Sequence, residues 1–102
     1  MAGFGLRIER LSDDVIKIAL SGELDLTRAY SFDEELRGIE ALAPDCICLD
    51  LSEVTFMDSA GLARIVAARR RAMRGGWRLV LVRGGAVVQR LLALSALEHG
   101  MS

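Results

Sequence analysis

Leu6-Arg7-Ile8-Glu9-Arg10 alternates apolar and charged residues, the pattern of a half-exposed strand. Ser12-Asp13-Asp14 signals a turn. From Val15 to Leu20 the alternation resumes, with Ile16, Ile18 and Leu20 on one face and Lys17 on the other. So short a connection predicts an antiparallel hairpin. Gly22-Glu23-Leu24-Asp25 ends the second strand and opens a loop, where Asp25 or Thr27 can cap a helix. Ala29, Phe32, Leu36, Ile39 and Ala43 then recur at steps of three and four, an amphipathic stripe. Asp33, Glu34, Glu35, Arg37 and Glu40 fill the outer face as a solvated surface, and Pro44 stops the helix.

The run Cys46-Ile47-Cys48-Leu49-Asp50-Leu51 reads as a buried third strand, with Ile47, Leu49 and Leu51 on one side. After an exit loop, a helix is predicted from Leu62 to Arg74. Its core stripe is Leu62, Ile65, Val66, Ala72 and Met73, with the Arg69 stem at its edge. Arg64, Arg70, Arg71 and Arg74 point elsewhere, and Gly75-Gly76 ends the helix. Trp77 to Arg83 is the fourth strand; Leu79-Val80-Leu81-Val82 is apolar on both faces, as a covered parallel strand is. Gly84-Gly85 turns the chain into a last helix carrying Val87, Val88, Leu91, Leu92 and Leu94. The order β-β-α-β-α-β-α predicts an α/β domain. The expected sheet has four strands and is mixed, mostly parallel, with the first strand antiparallel at an edge and the helices mainly on one face.

Composition narrows the function classes. A chain of 102 residues is read as one domain, 1–102, with one modest core. A net charge of −1 gives no drive toward nucleic acid or an anionic membrane. The arginines at 69, 70, 71, 74 and 78 are the basic patch. Consecutive helical residues spread by about 100° each, so the run forms no single stripe and reads as a solvated face, suited at most to an acidic partner. No apolar run approaches the roughly 20 residues of a membrane span, and the first residues lack signal-peptide character, so the expected location is cytoplasmic. Cys46 and Cys48 share a strand face without redox or zinc spacing and read as buried free thiols. His99 has no companion ligand, so neither metal nor cofactor is expected.

Candidate chemistry gathers in Val54-Thr55-Phe56-Met57-Asp58-Ser59-Ala60-Gly61-Leu62, between the third strand and its helix. Asp and Ser both favour an N-cap, and on local chemistry alone a cap explains them. A helix N-terminus also carries partial positive charge and open donors, so a phosphate on a serine there is physically sensible. Met57-Asp58-Ser59-Ala60-Gly61-Leu62 resembles the signature of the STAS domain, more narrowly of the anti-sigma-factor antagonists. The resemblance extends through Gly22-Glu23-Leu24-Asp25, Leu49-Asp50-Leu51-Ser52 and Gly75-Gly76, in order and at family-like spacing.

The resemblance implies that Ser59 accepts a phosphate; Ala60 stands where many members have a second serine. It implies a protein-binding switch. Unphosphorylated, the surface binds an anti-sigma factor with a histidine-kinase-like ATPase fold and frees the sigma factor; a phosphoserine phosphatase resets it. Asp58 would orient Ser59, Gly61 would let the partner's backbone approach beside Ala60, and Glu23 and Asp25 would lie on the adjacent interface loop. The alternative is a STAS subunit docked in a larger signalling or lipid-transport complex. An enzyme is disfavoured, since no His, Lys or Cys base lies near Ser59 in the sequence.

Overall fold

A computed structural model describes residues 3–82. The elements are β1 (Phe4–Arg10), β2 (Val15–Leu24), α1 (Leu26–Glu40), β3 (Cys46–Met57), α2 (Ser59–Gly75) and β4 (Arg78–Val82). They form one sheet in the order β1-β2-β3-β4, with β1 antiparallel to β2 and the other pairs parallel. The predicted architecture is therefore the observed one. The helix expected around Val87 to Leu94, the turn at Gly84-Gly85, Arg83 and His99 lie outside the described residues.

One core forms on one face of the sheet. Ile16, Ile18 and Leu20 of β2 and Ile47, Leu49 and Leu51 of β3 alternate into it, as the period of two requires. Phe32, Leu36 and Ile39 of α1 and Ile65 and Ala68 of α2 close it from above. Full burial of one such aliphatic or aromatic side chain stabilises by about 1.5–3 kcal/mol. The other face carries Val15, Lys17, Ala19, Cys46, Cys48 and Asp50, all half-buried, with Lys17 Nζ 3.5 Å from Asp50 Oδ2.

Several expectations are corrected. Strands β2 and β3 continue to Leu24 and Met57, so the expected loops at Gly22–Leu24 and Val54–Met57 are strand. The parallel ladder absorbs them through register shifts between Ala19 and Ser21 and between Gly22 and Glu23. Gly22 sits at φ +84, and a Cβ there would collide with the Gly3 carbonyl oxygen, so only glycine fits. The cysteines are half-buried on the face away from the core, not within it. Val80 and Val82 of β4 are exposed on the same face, so the strand is not covered on both sides by any described element. Ala43 lies beyond α1 with φ 56 and is exposed.

The stripe of α2 is also rotated from the expected one. Gly61, Ile65, Ala68 and Ala72 face the sheet, while Arg69 is exposed and Met73 is 68% exposed. Three of these four inward residues are small, which lets the helix lie close to the sheet. Gly76 then ends α2 in the left-handed region at φ 82.

The acidic run on α1 is only partly the solvated face expected: Glu34, Glu35 and Arg37 are exposed, but Asp33 and Glu40 turn toward α2. Asp33 is buried, and its Oδ2 accepts a hydrogen bond from Arg37 Nε at 2.9 Å. Arg71 of α2, expected to point outward, instead reaches across to α1. Its Nε and a terminal nitrogen donate to the two oxygens of Glu40 at 2.8 and 2.9 Å. Its other terminal nitrogen lies 3.4 Å from Asp33 Oδ1, near enough for attraction but not aligned for a hydrogen bond. The Glu40 hydrogen bonds, helped by both carboxylate charges, hold the Arg71 guanidinium above its ordinary pKa against the opposing effect of burial. This bidentate clamp joins the two helices.

Arg71→Ala should cost about 3 kcal/mol, because it strands the nearly buried Glu40 carboxylate and leaves Asp33 with Arg37 alone. Urea unfolding checks it, and Arg71→Met combined with Glu40→Met should recover part of the loss by removing both ends of the closest pair. A cost below about 0.5 kcal/mol for Arg71→Ala, as for an ordinary surface change, would contradict the clamp.

Candidate functional site

Leu24 and Met57 are partners in the β2–β3 ladder and end their strands side by side. Each is followed by an aspartate that caps a helix. Asp25 starts α1 at φ −107, ψ −176, and Asp58 starts α2 at φ −102, ψ −175. Two parallel neighbours that turn at the same level deliver two helix N-termini to one place, at the C-terminal edge of the sheet. That is the edge where open α/β sheets bind ligands.

Asp58 links the two corners. Its Oδ1 accepts from the N–H groups of Ala60 and Gly61, both at 3.0 Å. Its Oδ2 accepts from Leu26 N–H, the first residue of α1, at 3.1 Å. The Asp58 backbone N–H also donates to the Leu24 carbonyl, at 3.4 Å. One side chain therefore caps its own helix and holds the start of the other. Asp25 is the cap of α1 rather than Thr27: its Oδ1 accepts from Arg28 N–H at 3.2 Å, and its Oδ2 pairs with the Arg28 guanidinium at 3.0 Å.

Ser59 is the first residue of α2, exposed, and its hydroxyl makes no hydrogen bond within the described residues. The donors expected to be open here are mostly in use, since Ala60 and Gly61 already give theirs to Asp58. Ala60 is half-buried beside it. Gly61 is buried, and the space a Cβ would need is filled by this chain's own Leu24 carbonyl and side chain and by Met57 Cγ at 3.1 Å. The glycine serves the close approach of α2 to the strand ends, not that of a partner's backbone, which corrects its expected role. Glu23 is half-buried within β2, opposite Phe56, so it lies beside the corner rather than on a loop.

Sequence reasoning missed the apolar side chains here. Leu26 is 63% exposed, Tyr30 67% and Phe56 44%. A signal existed: Leu26 and Tyr30 are four apart and off the core stripe of Ala29, Phe32 and Leu36, so the two stack on a second face of α1. No group of three His, Cys, Asp or Glu among the described residues can hold a metal. Burial, then the Asp50 charge, pushes the Cys48 thiol up, away from a reactive thiolate. No helix of the described residues is long and apolar enough to cross a membrane.

Two substitutions check this arrangement. Asp58→Asn can keep the α2 cap but presents an amide nitrogen where Leu26 needs an acceptor. Asp58→Ala loses everything and should cost about 1–2 kcal/mol. Hydrogen exchange should therefore quicken at Leu26 alone in the Asn variant, and at Leu26, Ala60 and Gly61 in the Ala variant. Gly61→Ala should cost about 1–3 kcal/mol by overpacking, read from urea unfolding.

Comparisons with known proteins follow the same geometry. The family model described as "Mlab, STAS domain" matches residues 9–101. An anti-sigma-F factor antagonist of Mycobacterium tuberculosis, RsfB, is 31% identical over 84 residues, 82% of this chain and 68% of that protein. The crystal structure of an anti-sigma factor antagonist from Mycobacterium paratuberculosis superposes with a TM-score of 0.81 at 25% identity, covering 97% of this chain and 83% of that one. The Bacillus cell-fate determinant SpoIIAA, solved in its phosphorylated form, shares the fold at a TM-score of 0.76 and 21% identity, over 96% of this chain and 89% of that one. These relatives are binding proteins rather than enzymes. The chain belongs to the STAS-domain family of anti-sigma-factor antagonists.

Proposed function

We propose that this chain is a binding switch controlled by phosphorylation of Ser59. In its unphosphorylated form the surface around Ser59 binds an anti-sigma factor with a histidine-kinase-like ATPase fold, and the sigma factor is released. The bound kinase transfers a phosphoryl group from ATP to Ser59 and the complex separates. A phosphoserine phosphatase returns the chain to its binding form. The work is cytoplasmic and involves no direct contact with nucleic acid or membrane.

The observation that carries this reading is an exposed serine hydroxyl, unbonded among the described residues, where two capped helix N-termini converge. Exposed Leu26 and Phe56 belong to the same corner, an apolar surface that a partner can cover. The binding residues are Glu23, Asp25, Asp58, Ser59 and Ala60, with Gly61 acting from beneath. Family membership and the name of the Mycobacterium tuberculosis relative support the partner class.

Phosphorylation acts through charge crowding. A phosphoserine adds about −1.5 to −2 charges at neutral pH. A bare helix N-terminus would absorb them, but Asp58 already occupies the Ala60 and Gly61 donors. The dianion and the Asp58 carboxylate therefore stand at one helix end, and a partner shaped around a hydroxyl must desolvate both.

A second reading, a STAS subunit within a larger signalling or lipid-transport assembly, is favoured by the exposed apolar side chains, which can dock a partner whether or not Ser59 is modified.

Incubation with the cognate kinase-type anti-sigma factor and ATP tests the switch. Intact-mass analysis should show one added phosphate, absent in Ser59→Ala. That variant should lose no more than about 0.5 kcal/mol in stability, because Asp58 is the N-cap. Phosphate uptake by the Ala variant, at Thr55 or Ser52 for example, would overturn the site assignment. Stable docking with no phosphate on the wild-type chain would favour the second reading.

A further inference from the structure

Beside Ser59 the first turns of α1 and α2 diverge enough to leave a furrow of about 210 Å³ between them. Leu26 and Tyr30 stand along one side, Ala60, Ala63 and Arg64 along the other, with Ala29 at the base. The volume is below the roughly 300–1,000 Å³ of small-molecule sites and suits one or two protein side chains. Leu26 and Tyr30 spread their apolar surface toward solvent although α1 has a fully formed core stripe of its own.

The side chains lining this furrow carry one charge, and the Asp58 carboxylate at its head is already engaged by the Leu26, Ala60 and Gly61 N–H groups. Arg64 is the furrow's one charged lining residue and makes no ion pair or hydrogen bond among the described residues. The neighbouring Arg28 is neutralised by Asp25. Helical side chains lean toward the helix N-terminus, so Arg64 lies over Ala60, four residues earlier. A cation without a partner, at the end of an apolar furrow that runs between two helices, matches a third helix carrying an aliphatic residue and, one turn away, a carboxylate. The alanines at positions 29, 60 and 63 present no bulk to hold such a helix off.

We propose that the furrow between α1 and α2 takes an aliphatic side chain from an acidic amphipathic helix of the protein partner, whose carboxylate pairs with Arg64. The inference rests on the docking reading above and names what the partner must present. It makes Leu26 and Tyr30 the walls of an anchor pocket, and Arg64 a specificity residue that selects acidic over basic partner helices.

The test uses a phage-displayed library of helical peptides, panned against the unphosphorylated protein, with neither kinase nor ATP present. Enriched peptides should pair Leu, Ile or Met with Glu or Asp three or four positions away. Their synthetic forms should shift the amide resonances of Leu26, Tyr30, Ala60 and Ala63. Arg64→Glu should weaken them at least tenfold and Arg64→Ala by less, with circular dichroism unchanged in both. A Glu→Lys change in the peptide should restore binding to the Arg64→Glu variant. Enrichment without an acidic preference, resonance shifts confined to other surfaces, or binding indifferent to Arg64→Glu would overturn the proposal. So would concentration-dependent shifts at the same four residues without peptide, which would assign the furrow to a second copy of this chain. A failure of Ser59 phosphorylation would defeat the switch and leave this result standing; a failure here would leave phosphorylation of Ser59 untouched.

Discussion

The carboxylate of Asp58 receives N–H groups from two different helices, and the candidate site depends on that sharing. Oδ1 holds Ala60 and Gly61 in α2, and Oδ2 holds Leu26 in α1. A cap ordinarily satisfies donors of its own helix. Here it also fixes where the neighbouring helix begins, so Ser59, Leu26 and the α1–α2 furrow are set relative to one another by one side chain. The arrangement is possible because β2 and β3 are parallel neighbours that end in register at Leu24 and Met57. Farther along the same helices, Arg71 on Glu40 and Asp33 joins them again. The helix pair is thus fastened near both ends, and Gly61 lets its start lie against the strand ends.

Much of this was legible in the sequence, for a physical reason. Element type and order follow from periodicity, and the alternation of Ile16, Ile18 and Leu20, or of Ile47, Leu49 and Leu51, admits no other face for the core. The corner at Asp58-Ser59 was also legible, because capping chemistry is local. What escaped was set by tertiary contact. Arg71 and Glu40 are 31 residues apart, and nothing near either one signals the other. The α2 stripe was right at Ile65 and Ala72 and rotated elsewhere, because apolar weight favoured Val66 and Met73, whereas close packing on the sheet selected Gly61 and Ala68. The strand extensions past Leu20 and Leu51 contain Gly22, Glu23, Ser52 and Glu53, residues of low strand propensity that the ladder with a neighbour overrides.

The same distinction bears on how the proposed switch works. The residues around Ser59 form regular strand and helix on both sides, with no long glycine-rich segment between alternative packings. Locking by Asp58 and Arg71 opposes rearrangement of either helix. A phosphate at Ser59 then has little in the fold to move, and its effect falls on the surface, where it adds charge beside Asp58 and bulk beside the furrow. On this account the domain is a rigid platform whose electrostatics are rewritten at one point.

Backbone amide NMR of the Ser59-phosphorylated and unmodified protein, combined with calorimetric titration of both with the proposed kinase-type anti-sigma factor, tests that claim most directly. The account predicts resonance changes confined to the two corners, near Leu24–Thr27 and Phe56–Arg64, with affinity lower by about a hundredfold or more, the equivalent of about 2.7 kcal/mol. Changes spread across all four strands, or a dissociation constant unaltered by the phosphate, would contradict it.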